Sequence, residues 1–259
     1  MMKHILVTND DGIQSPGLLA LAQALRSVGR VSILAPDTNW SMCGHNKTMS
    51  RALHLSETTL MDGSKAWSAD GSPSDCVALA TLGFIEEPID LVVSGINPYP
   101  NAGSDVSYSG TVAAAIEAAL GGYPALAVSL DAPFDYSEEK DFAPAAQVSA
   151  LIAQKVLTNT SLPAGVILNI NVPFLAYAEL KGIRLTCTGE RIYHNTLVRR
   201  NGKNNEVEYW LGGDFPESIP TAGTDFLALN QGFVSISPLR PDLTATDILS
   251  KMDSWQLDL

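Results

Sequence analysis

The chain is 259 residues long, with 16 Lys and Arg against 28 Asp and Glu, a formal net charge of −12 with its four His neutral. Nucleic-acid surfaces neutralise phosphates with basic side chains, and anionic membranes attract the same residues, so neither a nucleic-acid polymer nor a membrane is an expected partner. A composition of 46% hydrophobic and 17% charged residues is otherwise that of a folded protein with ample core.

Ile5, Leu6, Val7 and Thr8 read as a buried strand. Residues 18–28 read as a helix, with Leu18, Leu21, Ala22, Leu25 and Val28 at helical spacing and Ser15-Pro16 at its start. Residues 31–35 form a second strand, closed by Pro36. Residues 74–84 look helical, 90–94 extended, and 111–120 form an Ala-rich helix. A strand at 125–130, a helix at 142–157 and a strand at 166–171 complete an alternation that indicates a parallel sheet with helices on both faces. The most membrane-like stretch, 112–130, is interrupted by Glu117, Gly121, Gly122 and Pro124. A span needs about 20 predominantly apolar residues, so helix, turn and strand is the better reading.

The rhythm changes after Pro173. Residues 184–188 and 233–237 read as strands, and between them lies a polar stretch at 190–220. Asn201-Gly202 offers a hairpin turn there, between 195–198 and 206–211. A hairpin carrying Tyr209 and Trp210 without a helix to cover it suits either an arm on another subunit or a flap on the same chain. The division is a catalytic core at 1–175 and an extension at 176–259, which completes the sheet and carries the hairpin and a tail. Cys43, Cys76 and Cys187 are odd in number and far apart, and the start runs straight into a strand. Both features fit a cytoplasmic protein with reduced thiols.

Ligands of a doubly wound sheet bind beyond the carboxyl ends of the strands, and three polar clusters fall there. Thr8-Asn9-Asp10-Asp11-Gly12 follows the first strand. Adjacent carboxylates held close repel unless one is protonated or a cation bridges them, and a hard divalent cation accepts such oxygens; a solvated turn accounts for the same residues. The loop after the second strand holds Ser41, a possible neutral oxygen ligand, with His45 and Lys47 able to approach an anion. Taken alone it is simply a long loop. The third cluster runs from Gly95 through Asn97, Asn101 and Asp105 to Ser109-Gly110-Thr111 at a helix start, where amides and the helix dipole favour an anion. An ordinary N-cap is the competing reading. Residues 66–139 contain no Lys, Arg or His, so positive charge for an anion there must come from elsewhere, for instance a metal ion at Asp10-Asp11.

These residues resemble the SurE (survival protein E) family of metal-dependent 5′-nucleotidases. The opening signature is Leu6 to Gly12; the second is Ala35-Pro36-Asp37 with Ser41; the third is Ser94-Gly95-Ile96-Asn97 through Asn101, Gly103, Asp105 and Tyr108 to Val112. Weaker echoes lie at 70–76, 169–173, 223–225 and 235–239. The resemblance implies a Rossmann-like core and one divalent metal ion per subunit, Mg²⁺ or Mn²⁺, held by Asp10, Asp11, Ser41 and Asn97. It also implies a phosphate near Asn101, Ser109, Gly110 and Thr111, and a homodimer or homotetramer built through the C-terminal hairpin and tail. Three positions depart from the pattern. Met42 stands where the family has Gly, Pro98-Tyr99-Pro100 replaces a segment with Gly at the Tyr99 position, and Ala118 occupies another Gly position. Stiffening prolines and Tyr99, placed to narrow the pocket or stack on a base, bear on substrate range.

The expected reaction is hydrolysis of nucleoside 5′-monophosphates, with 3′-nucleotides or short polyphosphate as further substrates. Asp10 orients or deprotonates the attacking water, and His45 and His194 are candidate general acids. Two alternatives are an aspartyl-phosphate phosphatase, which usually needs carboxylates two positions apart and a nearby Lys, and a non-catalytic module that senses metal and nucleotide.

Overall fold

The computed structural model describes residues 2–159, 162–202 and 206–255. The expected alternation is present. β1 (His4–Thr8) leads through α1 (Pro16–Leu25) to β2 (Arg30–Pro36). The helix stops at Leu25 instead of Val28, because the Val28 amide closes a turn onto the Leu25 carbonyl. Val28 still packs on the same core cluster as α1, which explains its helical spacing. A hairpin not anticipated from sequence follows, β3 (Leu55–Thr59) and β4 (Lys65–Ala69). Its strands are polar and partly exposed, hence without clear alternation; Asp62-Gly63 at its turn was the available signal.

α2 (Pro73–Leu79) begins in a capping box, with Ser72 and Asp75 each bonding the other's amide. The helix expected over 74–84 changes to π-type winding at Ala80–Phe84, where Gly83 takes φ +120°. β5 (Leu91–Asn97) runs three residues past its expected end, and α3 (Gly110–Leu120), β6 (Ala125–Asp131), α4 (Ala143–Asn159) and β7 (Ile167–Pro173) follow. The C-terminal part contributes β8 (Ile183–Leu185), β9 (Glu190–Ile192), β10 (Asn195–Asn201), β11 (Val207–Gly213), β12 (Glu217–Ile219), α5 (Asp225–Asn230), β13 (Val234–Leu239) and α6 (Thr246–Met252).

Among the described residues the main sheet has nine strands in the order β3-β4-β2-β1-β5-β6-β7-β13-β8. β4 through β7 are mutually parallel, while β3 and β13 run antiparallel to their inner neighbours. Side chains alternate across a strand. Ile5 and Val7 therefore pack with Leu18, Leu21 and Val148 under α1 and α4, while Leu6 packs with Val77, Val112 and Ala115 under α2 and α3. Ala118 lies fully buried in this second layer. The layering is that of an α/β sheet covered on both faces, and the C-terminal part supplies its last two strands. The chain leaves β1 in opposite directions for β2 and β5, so the carboxyl end of β1 is the topological switch point, the usual ligand position of such sheets.

Candidate active site

Leu6 of β1 packs under α3, and two residues beyond the strand's end the Asp10 carboxylate meets the start of that helix. Asp10 is buried. Thr111 Oγ1 donates to its Oδ1 at 2.6 Å, the amides of Gly110 and Thr111 also face it, and the Trp40 amide donates to its backbone carbonyl at 2.7 Å. Burial pushes the Asp10 pKa up, against the downward pull of these hydrogen bonds. Asp11 is pushed up to about 7, by burial first and then by the charge of Asp10. Its Oδ2 is buried without a hydrogen-bond partner among the described residues.

An orphaned carboxylate oxygen beside a second buried carboxylate fits a divalent cation. No group of three or more His, Cys, Asp or Glu that could hold a metal occurs among the described residues. A cation held here would have to combine these two carboxylates with neutral oxygens, a hard set that would suit Mg²⁺ or Mn²⁺. Of the expected neutral donors, Ser41 is exposed one residue beyond Trp40, its amide held by Asn39 Oδ1 at 2.7 Å. Asn97 ends β5, and its Nδ2 donates to the Tyr99 carbonyl at 2.6 Å, which sets the orientation of its Oδ1.

Two glycines make this geometry possible. Gly95 has φ +136°, and a Cβ there would lie 2.4 Å from the Val128 carbonyl oxygen; the β5–β6 register shifts between Ser94 and Asn97. A Cβ on Gly110 would lie 2.7 Å from Asp10 Cβ and 3.0 Å from both Asp10 Oδ2 and Cys43 Sγ. Met42, by contrast, is the only non-Gly residue with positive φ, +59°, among those described. The departure from Gly here costs strain, since the left-handed region disfavours a Cβ by about 1–2 kcal/mol. Met42→Gly is expected to raise stability by up to about 1 kcal/mol after the backbone-entropy cost of Gly, measured by urea unfolding.

The four expected phosphate residues occupy different settings. Ser109 caps α3 by accepting from the Val112 amide at 3.0 Å, so the ordinary N-cap is present. The next two amides face Asp10, so the positive end of α3 acts first on this carboxylate. Asn101 is buried in an amide network. Its amide donates to Asn171 Oδ1 (2.9 Å) and its Nδ2 to Ser129 Oγ (2.8 Å). Its carbonyl accepts from Asn169 and Asn171 Nδ2 (2.7 and 3.1 Å).

Neither candidate general acid lies free beside Asp10. His45 and Lys47 both bond the Glu117 carboxylate, at 2.9 and 2.6 Å. His194 is exposed in the turn between β9 and β10. Tyr99 stacks on Phe134 with centroids 4.8 Å apart, and Phe134 on Phe215 at 5.5 Å. The tyrosine thus joins a protein aromatic stack at the mouth of the sheet.

From sequence, Asn169 and Asn171 stand out only as part of the weak echo at 169–173, without a role, and Ser129, Asp131, Arg191 and Tyr193 do not stand out at all. The polar alternation Asn169, Asn171 inside an apolar strand was the signal for the first group. Arg191 and Tyr193 both bond Asp105, a pairing across 86 and 88 residues with no local signature. Asp225 likewise ties distant loops, accepting from the Gly103 and Gly189 amides at 2.8 Å each.

The family model for Survival protein SurE matches residues 5–195. The chain belongs to the SurE family. A SurE relative from Chloroflexus aggregans, named 5′-nucleotidase SurE, is 44% identical over 98% of this chain and 99% of its own. One of the same name from Rubrobacter xylanophilus is 43% identical over 98% of this chain and 97% of its own. The crystal structure of the SurE protein from Aquifex aeolicus superposes with a TM-score of 0.81 at 36% identity, covering 97% of this chain and 99% of that one. The SurE fold thus extends well past the matched 191 residues into the C-terminal part.

Proposed function

We propose that this chain is a metal-dependent phosphohydrolase acting on nucleoside 5′-monophosphates. The observation that carries this reading is the buried Asp10-Asp11 pair at the switch point, set against the amino end of α3. Its family relatives named 5′-nucleotidase give that site its substrate class. Asp10, Asp11, Ser41 and Asn97 hold one divalent cation per subunit, Mg²⁺ or Mn²⁺. When bound, it supplies Lewis acidity toward the phosphoryl oxygens and toward water.

The remaining work falls to the chain itself. Asp10 orients the attacking water and takes its proton; Thr111 fixes the carboxylate rotamer, and burial raises its proton affinity. Ser109, Gly110 and Thr111 face the phosphate with a helix end that favours negative charge. Asn101 forms the opposite side, on a loop made rigid by Ser129, Asn169 and Asn171. A panel of 5′-monophosphates, 3′-monophosphates and short polyphosphate, each with Mg²⁺ and with Mn²⁺, tests the assignment by phosphate release. The 5′-monophosphates are expected to turn over fastest; no release from any nucleotide with either metal would overturn it.

The same reading places the enzyme in the cytoplasm as a homodimer or homotetramer. Its three cysteines are free, and no helix among the described residues is long and apolar enough to cross a membrane. The β10–β11 hairpin supports assembly. Leu197 pairs with Leu211, and Val198 with Trp210, yet Leu211 is 91% and Trp210 55% exposed. Apolar side chains on both faces of an uncovered ribbon suit a second copy of the chain. Light scattering is expected to give at least a dimer, and Leu211→Glu with Trp210→Glu to lower the mass. A monomeric wild type would contradict the arm.

A further inference from the structure

Of the cavities outside the proposed metal and phosphate site, one lies beside Asn101 at the carboxyl end of β6. Pro100, Asp131, Arg191, Ser218, Phe226 and Asn230 line a space of about 260 Å³. This is below the roughly 300–1,000 Å³ of pockets that take a whole ligand, so it suits one ring system and not an entire nucleotide. Its position follows from sheet register. Asn97 pairs with Ser129, and Asp131 lies two residues further along β6, on the same face. One step along the strand and one across separates the Cα atoms of Asn97 and Asp131 by ~8 Å, comparable to the reach of a nucleotide from phosphorus to base.

The lining carries unmet hydrogen-bonding capacity. Asp131 ends β6, half-buried, with burial as the sole influence on its carboxyl, which is pushed up to about 7; among the described residues no donor compensates it. Arg191 stands opposite Ser218 on the β9–β12 ribbon with a side chain only 5% exposed. Asp105 takes its Nη1, while its Nε is buried without an acceptor among the described residues. Phe226 and Pro100 supply flat apolar walls. The cavity therefore asks for a planar group that offers donors to a carboxylate and an acceptor to a guanidinium. Guanine presents that combination on one edge, with N1–H and N2–H₂ beside O6. Adenine lacks the paired donors.

We propose that this cavity holds the base of the substrate and selects guanine, with Asp131 accepting from N1–H and N2–H₂ and Arg191 facing O6. The proposal rests on the phosphohydrolase reading, and two measurements separate their failures. The first is kcat/KM for GMP, dGMP, IMP and AMP, with p-nitrophenyl phosphate as a base-free control, in wild type and Asp131→Asn. The second is calorimetric binding of guanosine and adenosine, which needs no turnover. Wild type is expected to prefer GMP over AMP and IMP by about tenfold or more, the scale of a lost charge-assisted hydrogen bond. Asp131→Asn should reduce that preference to below about threefold while leaving p-nitrophenyl phosphate and the GMP to dGMP ratio unchanged. It should also fold normally, since it removes a buried ionisable group. Equal turnover of GMP and AMP by wild type would overturn the base assignment alone. An altered GMP to dGMP ratio in the variant would overturn it in favour of the ribose diol as the group Asp131 reads. Preferential guanosine binding without phosphate release would leave this inference standing and overturn the activity.

Discussion

Asp11→Asn is expected to lower kcat/KM for a nucleoside 5′-monophosphate by more than about 100-fold while leaving the fold intact. Loss of an outer partner of a metal ligand typically costs about 10–100-fold, and loss of an anionic ligand itself should exceed that range. The fold is not at risk, because the ionised Asp11 carboxylate opposes it. Its folded pKa, about 7, lies above the unfolded value near 3.9. Below pH ~4 the carboxyl is protonated in both states and carries no penalty. As pH rises towards 7 the unfolded chain ionises and the folded one resists, so metal-free stability falls. The ceiling is about 4 kcal/mol for a three-unit shift, and Asp131 contributes in the same direction. Thermal melts of metal-free wild type should therefore decline between pH 4 and 7, with a shallower decline in Asp11→Asn. Mn²⁺ should raise the wild-type Tm more at pH 8 than at pH 5 and have little effect on the variant. Equal Mn²⁺ stabilisation of both proteins would exclude Asp11 as a ligand.

Gly110→Ala is the second large expected effect, a loss of about 100-fold or more in kcat/KM through displacement alone. The added carbon would stand 2.7 Å from Asp10 Cβ, a distance that real Cβ contacts do not tolerate, and a tight 3.0 Å from Cys43 Sγ. Asp10 cannot retreat freely, because Thr111 holds its carboxylate and Trp40 its carbonyl. A misplacement of 1 Å at a reacting group costs about 10²-fold. Helix propensity argues the other way, but only in part, since the gain of roughly 1 kcal/mol for Ala over Gly belongs to helix interiors and Gly110 is the first residue of α3. A chain that keeps its Tm yet loses activity would isolate the steric effect. Pairing the change with Cys43→Ala removes one of the colliding atoms and should restore part of the rate. Full activity in Gly110→Ala would mean that Asp10 has room to move and that its fixed position is not needed.

The α/β layering was legible in sequence because parallel strands buried on both faces write themselves as apolar runs, as in Ile5 to Val7 and Leu91 to Val93. The strand ends were legible for a related reason. Asp10, Asp11 and Asn97 interrupt those runs abruptly, and the signature they share with SurE proteins orders them. What escaped was of two kinds. The β3–β4 hairpin is polar and lies at the sheet edge, so its alternation is weak and only Asp62-Gly63 betrayed it. The pairings of Asp105 with Arg191 and of Asp225 with Gly103 and Gly189 join loops far apart in sequence, and only folding brings them together. The turn at Ser109 to Thr111 is the instructive case. Its residue types pointed to an anion, and the anion the fold places nearest its amides is the Asp10 carboxylate itself. On the proposed assignment a substrate phosphate there would share the helix end with the Asp10 carboxylate, which increases the need for a cation between them.

Phosphate release from GMP by metal-free enzyme, titrated with Mn²⁺, tests that need most directly. Negligible turnover is expected in chelator, with a rate that rises to a plateau at one metal ion per chain. An undiminished rate in excess chelator would contradict it.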